Sequence, residues 1–508
     1  MRSTRALVAL LACACVLAPG APPQSAVAPE VQAALDGIQP SSLRDDLKFI
    51  ASDELEGRDS PSHGLDLAAD YIAAQFRRAG LEPGAGDSYF QNASMLVEEP
   101  NYSNFELTLS SGDRQLASTH KDAVFSLTAA VDLKDTPLFK LDLSNEALVQ
   151  HLTTSQVEGK VAITEIDARW RGRFRAVNRV LRAGKPALLI VVNKRSPGAH
   201  DRPPRRLVDP SESGAEASIP RVSIGGEAAA RFYSSLKSGA SNATASVRIA
   251  TPHRAPATLR NVIGVLRGSD PALRDTYVLL TAHYDHLGIR PDGAGDRIYN
   301  GANDDGSGTV SVMEVARALA RLPRRPRRSI VFMTFFGEEE GLIGSEYYAH
   351  HPVFPLAKTV ADLNLEQVGR TDSTEGPQIS NGSLTGFDYS DITSYVQRAG
   401  ESTGIRIYKN LKGSDDYFAA SDNFSFAETG VPAETLCVAF DYPDYHAVGD
   451  EWQKIDYDNM AKVDRAVALA VFLMADSAEP VRWNESNPKT APFVTAGKQR
   501  AAKPREAE

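Results

Sequence analysis

The sequence predicts an α/β protein: a mixed, mostly parallel sheet sandwiched by helices, with a β-rich domain inserted into it. Three observations carry this. Beyond residue 253, short apolar runs alternate with segments of helical period, the pattern of strands joined by crossover helices. Between about 100 and 250 the texture is short alternating strands and polar loops. The 508 residues, of ordinary globular composition, suffice for two or three domains.

Taken in order, MRSTR followed by ALVALLACACVLA (6–18) and the small-residue stretch APGAPPQSA has the grammar of a secretory signal peptide, placed at 1–25. Export to a secreted or periplasmic location follows, with lipoprotein anchoring at Cys13 as the alternative, and no transmembrane segment after cleavage. Cys13 and Cys15 fall inside the signal, so Cys437 alone remains and no intrachain disulfide can form. Residues 27–40 form a Pro- and Ala-rich lead-in. GLDLAADYIAAQFRRAG (64–80) has helical spacing with Gly80 as its C-cap. These belong to an N-terminal segment, 26–115, of the main domain.

The insert, 116–252, carries the strands LFKLDL, KVAITEI, ALLIVVN, RVSIGG and ASVRIA. Within it, SPGAHDRPPRRLVDPSESGAEAS (196–218) lacks periodicity and is expected to be a surface loop. The main domain resumes over 253–482. NVIGVLRG and YVLLTAHYD are strands, SGTVSVMEVARALARL a helix, IVFMTFF a strand and GLIGSEYYAH a helix. TVADLNLEQV and VPAETLCVAF are further strands, and NMAKVDRAVALAVFLMAD a closing helix. The tail, 483–508, has the composition of a disordered segment. A net charge of −10 and the absence of a basic stripe with aromatic partners exclude nucleic acid; PRRPRR (323–328) is a solvated connection.

Five loops after apolar strands carry imidazole or carboxylate groups: AHYDHLG, NGANDDGSG, FFGEEEG, NLEQVG and DYHAVGDEW. Open α/β sheets bind ligands at the carboxyl ends of their strands, so five such loops together define a site. Taken singly, each has a plainer explanation. His283 could be a hydrogen-bonded core histidine, Asp304-Asp305 a turn with an N-cap, Glu366 a salt-bridge partner of Arg370. His286, Asp305, Glu340, His350 and His351 are left as turn or helix-end residues. Neither a G-x-S-x-G elbow nor an H-E-x-x-H motif is present.

The chain resembles the M28 zinc metallopeptidases that carry an inserted protease-associated (PA) domain. HYDHLG, NGANDDGSG, GEEEGLIGS, NLEQVGR and YHAVGDEWQKID resemble the metal-site blocks. GKVAITEI, RAGKPALLIVV and IPRVSIGGEAAARF resemble the insert, and LRDDLKFIASDELEGRDS the N-terminal segment. The resemblance implies a zinc exopeptidase fold, a peptide substrate and two Zn2+ per chain. His283, Asp304 and Glu366 would hold one ion; Asp304 as bridge, Glu339 and His446 the other. Glu338 would be the general base, Asp285 the carboxylate orienting His283, and Tyr445 an oxyanion partner. Two Zn2+ against the three ligand carboxylates and a bridging hydroxide sum to zero charge, which leaves Glu338 uncoordinated. With one thiol in the mature chain, a structural Cys site is excluded.

Glu366 departs from the aspartate more usual in the family, and SDN (421–423) from SDH. Aminopeptidase activity is the expectation. Against it stand a carboxypeptidase or dipeptidase, which needs a cation for the substrate carboxylate, a single-zinc glutaminyl cyclase, and an inactive receptor-like ectodomain, which predicts missing ligands.

Overall fold

The computed structural model describes residues 27–126, 129–165, 171–193, 205–212, 219–291 and 293–502. The signal-peptide reading of 1–25, with Cys13 and Cys15, falls outside them. The fold is mixed α/β. Four strands form the parallel centre of a ten-stranded sheet, in the order Ala433–Cys437, Thr359–Glu366, Tyr277–His283, Ser329–Phe335. Its flanks are antiparallel: His253–Leu266 pairs with Ser329–Phe335 on one side, and Asn381–Leu384 with Ala433–Cys437 on the other.

Period-2 patterning explains how both faces are covered. Val278 and Leu280 join Ile330 and Phe332 in the larger core, whereas Tyr277 and Leu279 join Val331 and Met333 in the smaller. Helices Gly308–Ala320 and Tyr457–Asp476 cover the first face, and Ile343–His350 and Asn423–Glu428 the second. Such central strands, buried on both sides, have no polar face to show, which is why they appear as unbroken apolar runs. No described helix is long and apolar enough to cross a membrane.

The register fixes where chemistry can occur. His283 lies level with Phe335, and Glu366 with Cys437. Every parallel strand therefore ends on one edge, and the loops that follow meet there.

A second, eight-stranded sheet runs from Glu106 to Ile249 and has cores of its own. Three expectations need correction. The insert boundary at 116 is too late, because Glu106–Ser111 and Arg114–Ser118 form a hairpin in this second sheet. Within the expected surface loop, Arg206–Val208 is a strand of the ten-stranded sheet, pairing antiparallel with Leu96–Glu98 and burying Leu207. The expected disorder of the tail gives way to a helix, and the lead-in is helical as well. Pro29 and Pro40 start helices Pro29–Asp36 and Pro40–Ile50, at the first helical position, where a missing N–H costs nothing. Ala491–Ala502 is helical, held by Phe493 against Phe418, Phe424 and Trp483. A single apolar anchor outweighs a polar composition there; residues 503–508 lie outside the described structure.

Candidate metal centre

The strand His283 closes is parallel to the one Glu366 closes, and their side chains meet over the sheet edge. His283 is fully buried. Its Nδ1 lies 3.2 Å from the Asp285 carbonyl oxygen, which can only accept. Nδ1 therefore carries the hydrogen, and Nε2 presents its lone pair outward. That Nε2 faces Asp304 Oδ1 at 3.3 Å and Glu366 Oε1 at 3.2 Å. The second Asp304 oxygen faces His446 Nε2 at 3.1 Å, and His446 Nε2 is 3.3 Å from Glu339 Oε2. Asp304 thus stands between two sets of donors, and all five expected ligand residues converge.

The backbone around these groups is tied down by carboxylates that do not face the centre. Asp450, fully buried, accepts from the backbone N–H of Asn303 and Asp304 at 3.0 Å and from the Tyr442 hydroxyl at 2.8 Å. Asp305 turns away from its neighbour and accepts from the N–H groups of Gly308 and Gln367, at 3.1 and 3.0 Å. It fastens the end of the Glu366 strand to the start of helix Gly308–Ala320. Asp285 Oδ1 accepts from the Glu338 N–H at 3.1 Å and lies 3.5 Å from His283 Nδ1. Its carbonyl is thus the nearer partner of the imidazole, and its carboxylate positions the Glu338 turn. The buried Arg58 guanidinium donates to four carbonyl oxygens, those of Ile50, Tyr284, Asn300 and Gly301, at 2.5–2.9 Å.

Three carboxylates and two imidazoles this close, most of them shielded from water, perturb one another strongly. Burial alone would lower the His283 imidazole, but the Glu338 charge and contacts with Asp285, Asp304 and Glu366 raise it well above its usual range. His446 is likewise pulled down by burial and lifted by Asp304 and Glu339, to about 10. Glu339 is pushed up by burial and by Asp304, yet its contacts with His286 and His446 bring it down to about 2. Glu338 behaves oppositely. Burial, with the charges of Glu366, Glu339 and Asp422, raises it well above the carboxylate range despite the nearby His283.

The donor set suits zinc. His283 Nε2 and Asp304 Oδ2 are buried with no hydrogen-bond partner, an unfavourable state unless something else satisfies them. Donors 2.0–2.1 Å from a tetrahedral zinc stand about 3.3 Å apart. The separations of 3.1–3.3 Å between each imidazole nitrogen and its carboxylate oxygens match that spacing. Among the described residues no thiol faces the centre; Cys437 is buried with its sulfur 4.0 Å from the Gln367 carbonyl oxygen.

Some residues play parts their local sequence does not disclose. His286, left as a turn residue, is buried and contacts Glu339 Oε1 at 2.8 Å through Nδ1, so it belongs to the centre. Glu340, also left as a turn residue, pairs with Arg205 at 3.3 Å. Glu338 reaches within 3.9 Å of His283 Nε2 without a closer basic partner. Tyr445 is 43% exposed at the mouth and stacks on the His446 ring, centroids 4.0 Å apart. Arg370 does not pair with Glu366; it is occupied by Asp372 at 2.6 Å and Asp444 at 3.0 Å, with Asp450 at 3.9 Å. Asp422, of the SDN stretch, is fully buried behind the centre, and burial lifts it to about 7. The H-Y-D-H spacing of His283 and His286 and the D of HAVGDE were the signals for His286 and Asp450, but neither names its partner.

Residues 261–471 match the model of peptidase family M28. Aminopeptidase YwaD of Bacillus subtilis (strain 168) is 29% identical over 242 residues, 46% of this chain and 47% of that protein. The probable glutamate carboxypeptidase LAMP1 of Arabidopsis thaliana is 29% identical over 230 residues, 43% of this chain and 31% of that protein. The match thus spans less than half the length of either relative. Among solved structures, an aminopeptidase from Aneurinibacillus sp. strain AM-1 superposes with a TM-score of 0.57 at 20% identity, covering 89% of this chain and 97% of that one. A zinc aminopeptidase from Bacillus subtilis gives 0.51 at 21% identity, over 87% and 96%. These two likenesses establish a common fold.

Proposed function

From the match of residues 261–471 to peptidase family M28, we propose that this chain is an exported zinc aminopeptidase that removes N-terminal residues from peptides. His283, Asp304, Glu339, Glu366 and His446 would be its ligands, able together to hold two zinc ions. The eight-stranded sheet is a PA-like insert beside them. The observation that carries the reading is the spacing of two imidazole nitrogens from three carboxylates at 3.1–3.3 Å, with Asp304 shared.

When bound, zinc supplies a Lewis acid for the scissile carbonyl and lowers the pKa of water toward neutrality. Glu338 is the residue free to move protons. It is half-buried beside the donors, 3.9 Å from His283 Nε2, where a carboxylate can take a proton from the attacking water and return it to the leaving amine. The C–N bond breaks as the new C–O bond forms, and the proton count balances through Glu338. Tyr445, at the mouth beside His446, is placed to donate to the carbonyl oxygen as it gains charge. His286 and Asp450 hold Glu339 and Asp304 in place.

An amino-terminal rather than carboxyl-terminal preference is supported by Arg370. A carboxypeptidase needs a cation for the substrate carboxylate, and Arg370 already faces three carboxylates of its own chain. The test is hydrolysis of aminoacyl anilides with free and N-acetylated amines by the zinc-loaded protein, with Glu338→Ala as control. Cleavage of the free-amine substrates alone is expected. Equal cleavage of blocked substrates, or turnover by the variant at the wild-type rate, would overturn the reading.

A further inference from the structure

Where the two sheets meet lies a cavity of about 320 Å3. Both sheets contribute walls. Glu98 and Arg206 come from neighbouring strands of the ten-stranded sheet and are directly paired in register. Val124, Phe125 and Arg221 come from paired strands of the eight-stranded sheet, and Pro252 from the connection between the sheets. Cavities of this size at a junction between structural units are common small-molecule sites.

Two features say what such a molecule would be. Glu98 is 4% exposed. Its Oε1 accepts from Arg254 Nε at 2.8 Å, while its Oε2 is buried with no hydrogen-bond partner. A carboxylate oxygen out of water and without a donor is unfavourable, and an ammonium group satisfies it best. Arg221 lines the same cavity; it is exposed, and no hydrogen bond or ion pair joins its guanidinium to another described residue. A planar guanidinium of that kind takes a carboxylate through two parallel hydrogen bonds. Val124, Phe125 and Pro252 add apolar surface to its lining.

We propose that this cavity binds a free amino acid with an apolar side chain, its ammonium on Glu98 and its carboxylate on Arg221. The site lies apart from the metal centre but is connected to it. Arg205 lines the same cavity, donates to the Ser60 carbonyl oxygen at 2.6 Å, and pairs with Asp59 and with Glu340 at 3.3 Å. Glu340 adjoins Glu339, so occupancy acts on the turn that carries Glu338 and Glu339. Binding is independent of the proposed hydrolysis; its effect on rate rests on that reading, in which the ligand is a product of the reaction.

The test is calorimetric titration of the zinc-loaded full chain with L-leucine, N-acetyl-L-leucine and inorganic phosphate. Leucine is expected to bind wild type at least tenfold more tightly than N-acetyl-leucine. Arg221→Ala, a surface change, is expected to weaken leucine at least tenfold while hydrolysis without added leucine stays within twofold of wild type. Glu98→Gln is expected to weaken leucine and leave N-acetyl-leucine unchanged. Unchanged leucine affinity in Arg221→Ala would place leucine binding elsewhere and overturn the proposal. Equal binding of N-acetyl-leucine or phosphate would mark a plain anion site and overturn it too. Absence of peptidase activity leaves the binding titration intact, so the two failures are distinguishable.

Discussion

The two sheets share a plan and differ in what their strand ends carry. Each has a parallel centre of buried aliphatic strands, Tyr277–His283 with Ser329–Phe335 in one and Val161–Glu165 with Leu188–Asn193 in the other. Each packs helices against that centre. Yet among the described residues, groups of histidines and carboxylates able to hold a metal occur only at the carboxyl edge of the ten-stranded sheet. Catalytic capacity here is a property of aligned strand ends rather than of sheet architecture. The eight-stranded sheet supplies instead Arg221 and one wall of the junction cavity.

Substitutions can break this contrast in a defined order. The largest effect is expected from Glu338→Ala, which removes the proposed proton shuttle. Its kcat should fall by roughly 10²–10⁴-fold, with zinc content unchanged by elemental analysis. Next comes Asp450→Asn, which loosens three hydrogen bonds around Asp304 without touching a donor. Competition with a chelator should show zinc affinity lower by about 10–100-fold. On the other side of the comparison, Ile190→Ala opens a void in the core of the eight-stranded sheet. It should destabilise by about 2–5 kcal/mol in thermal or denaturant unfolding, while kcat per folded molecule is retained. A loss of kcat of the Glu338→Ala size in that variant would erase the distinction between the sheets.

The smallest effect concerns pH. Glu434 is buried on strand Ala433–Cys437, and burial raises its carboxyl well above the usual range, although the Ser390 and Thr393 hydroxyls donate to it. The folded state therefore binds the proton more tightly than the unfolded one. Its contribution to stability is full below the unfolded pKa of about 4.3 and is lost as pH rises toward the folded value. Glu434→Gln removes this dependence. The Tm of the variant relative to wild type should accordingly rise between pH 5 and pH 8, and a constant difference would contradict the assignment.

Much of this was legible in the sequence because strand-end chemistry is local. The apolar run before His283 and the one before Glu338 announce both a strand and the loop that ends it. What stayed hidden depends on partners far along the chain. His286 matters because Glu339, 53 residues later, turns its other oxygen toward it. Asp450 matters because its acceptors face the N–H groups of Asn303 and Asp304, some 147 residues earlier. Arg206–Val208 is a strand only because Leu96–Glu98 offers it an edge. In a segment full of prolines and charges, three residues of alternation are too few to be seen. The tail helix Ala491–Ala502 stays hidden for a related reason: the aromatic cluster around Phe493 draws on residues near 418 and 483.

Five residues are proposed to hold a pair of zinc ions, with Asp304 between them. Stepwise zinc loading of the chelator-stripped protein, with bound zinc and anilide hydrolysis measured on the same samples, tests this proposal most directly. Binding should saturate at two zinc per chain, and His446→Ala should lose one equivalent while His283, Asp304 and Glu366 keep the other. Saturation at one zinc per chain with full activity would contradict it.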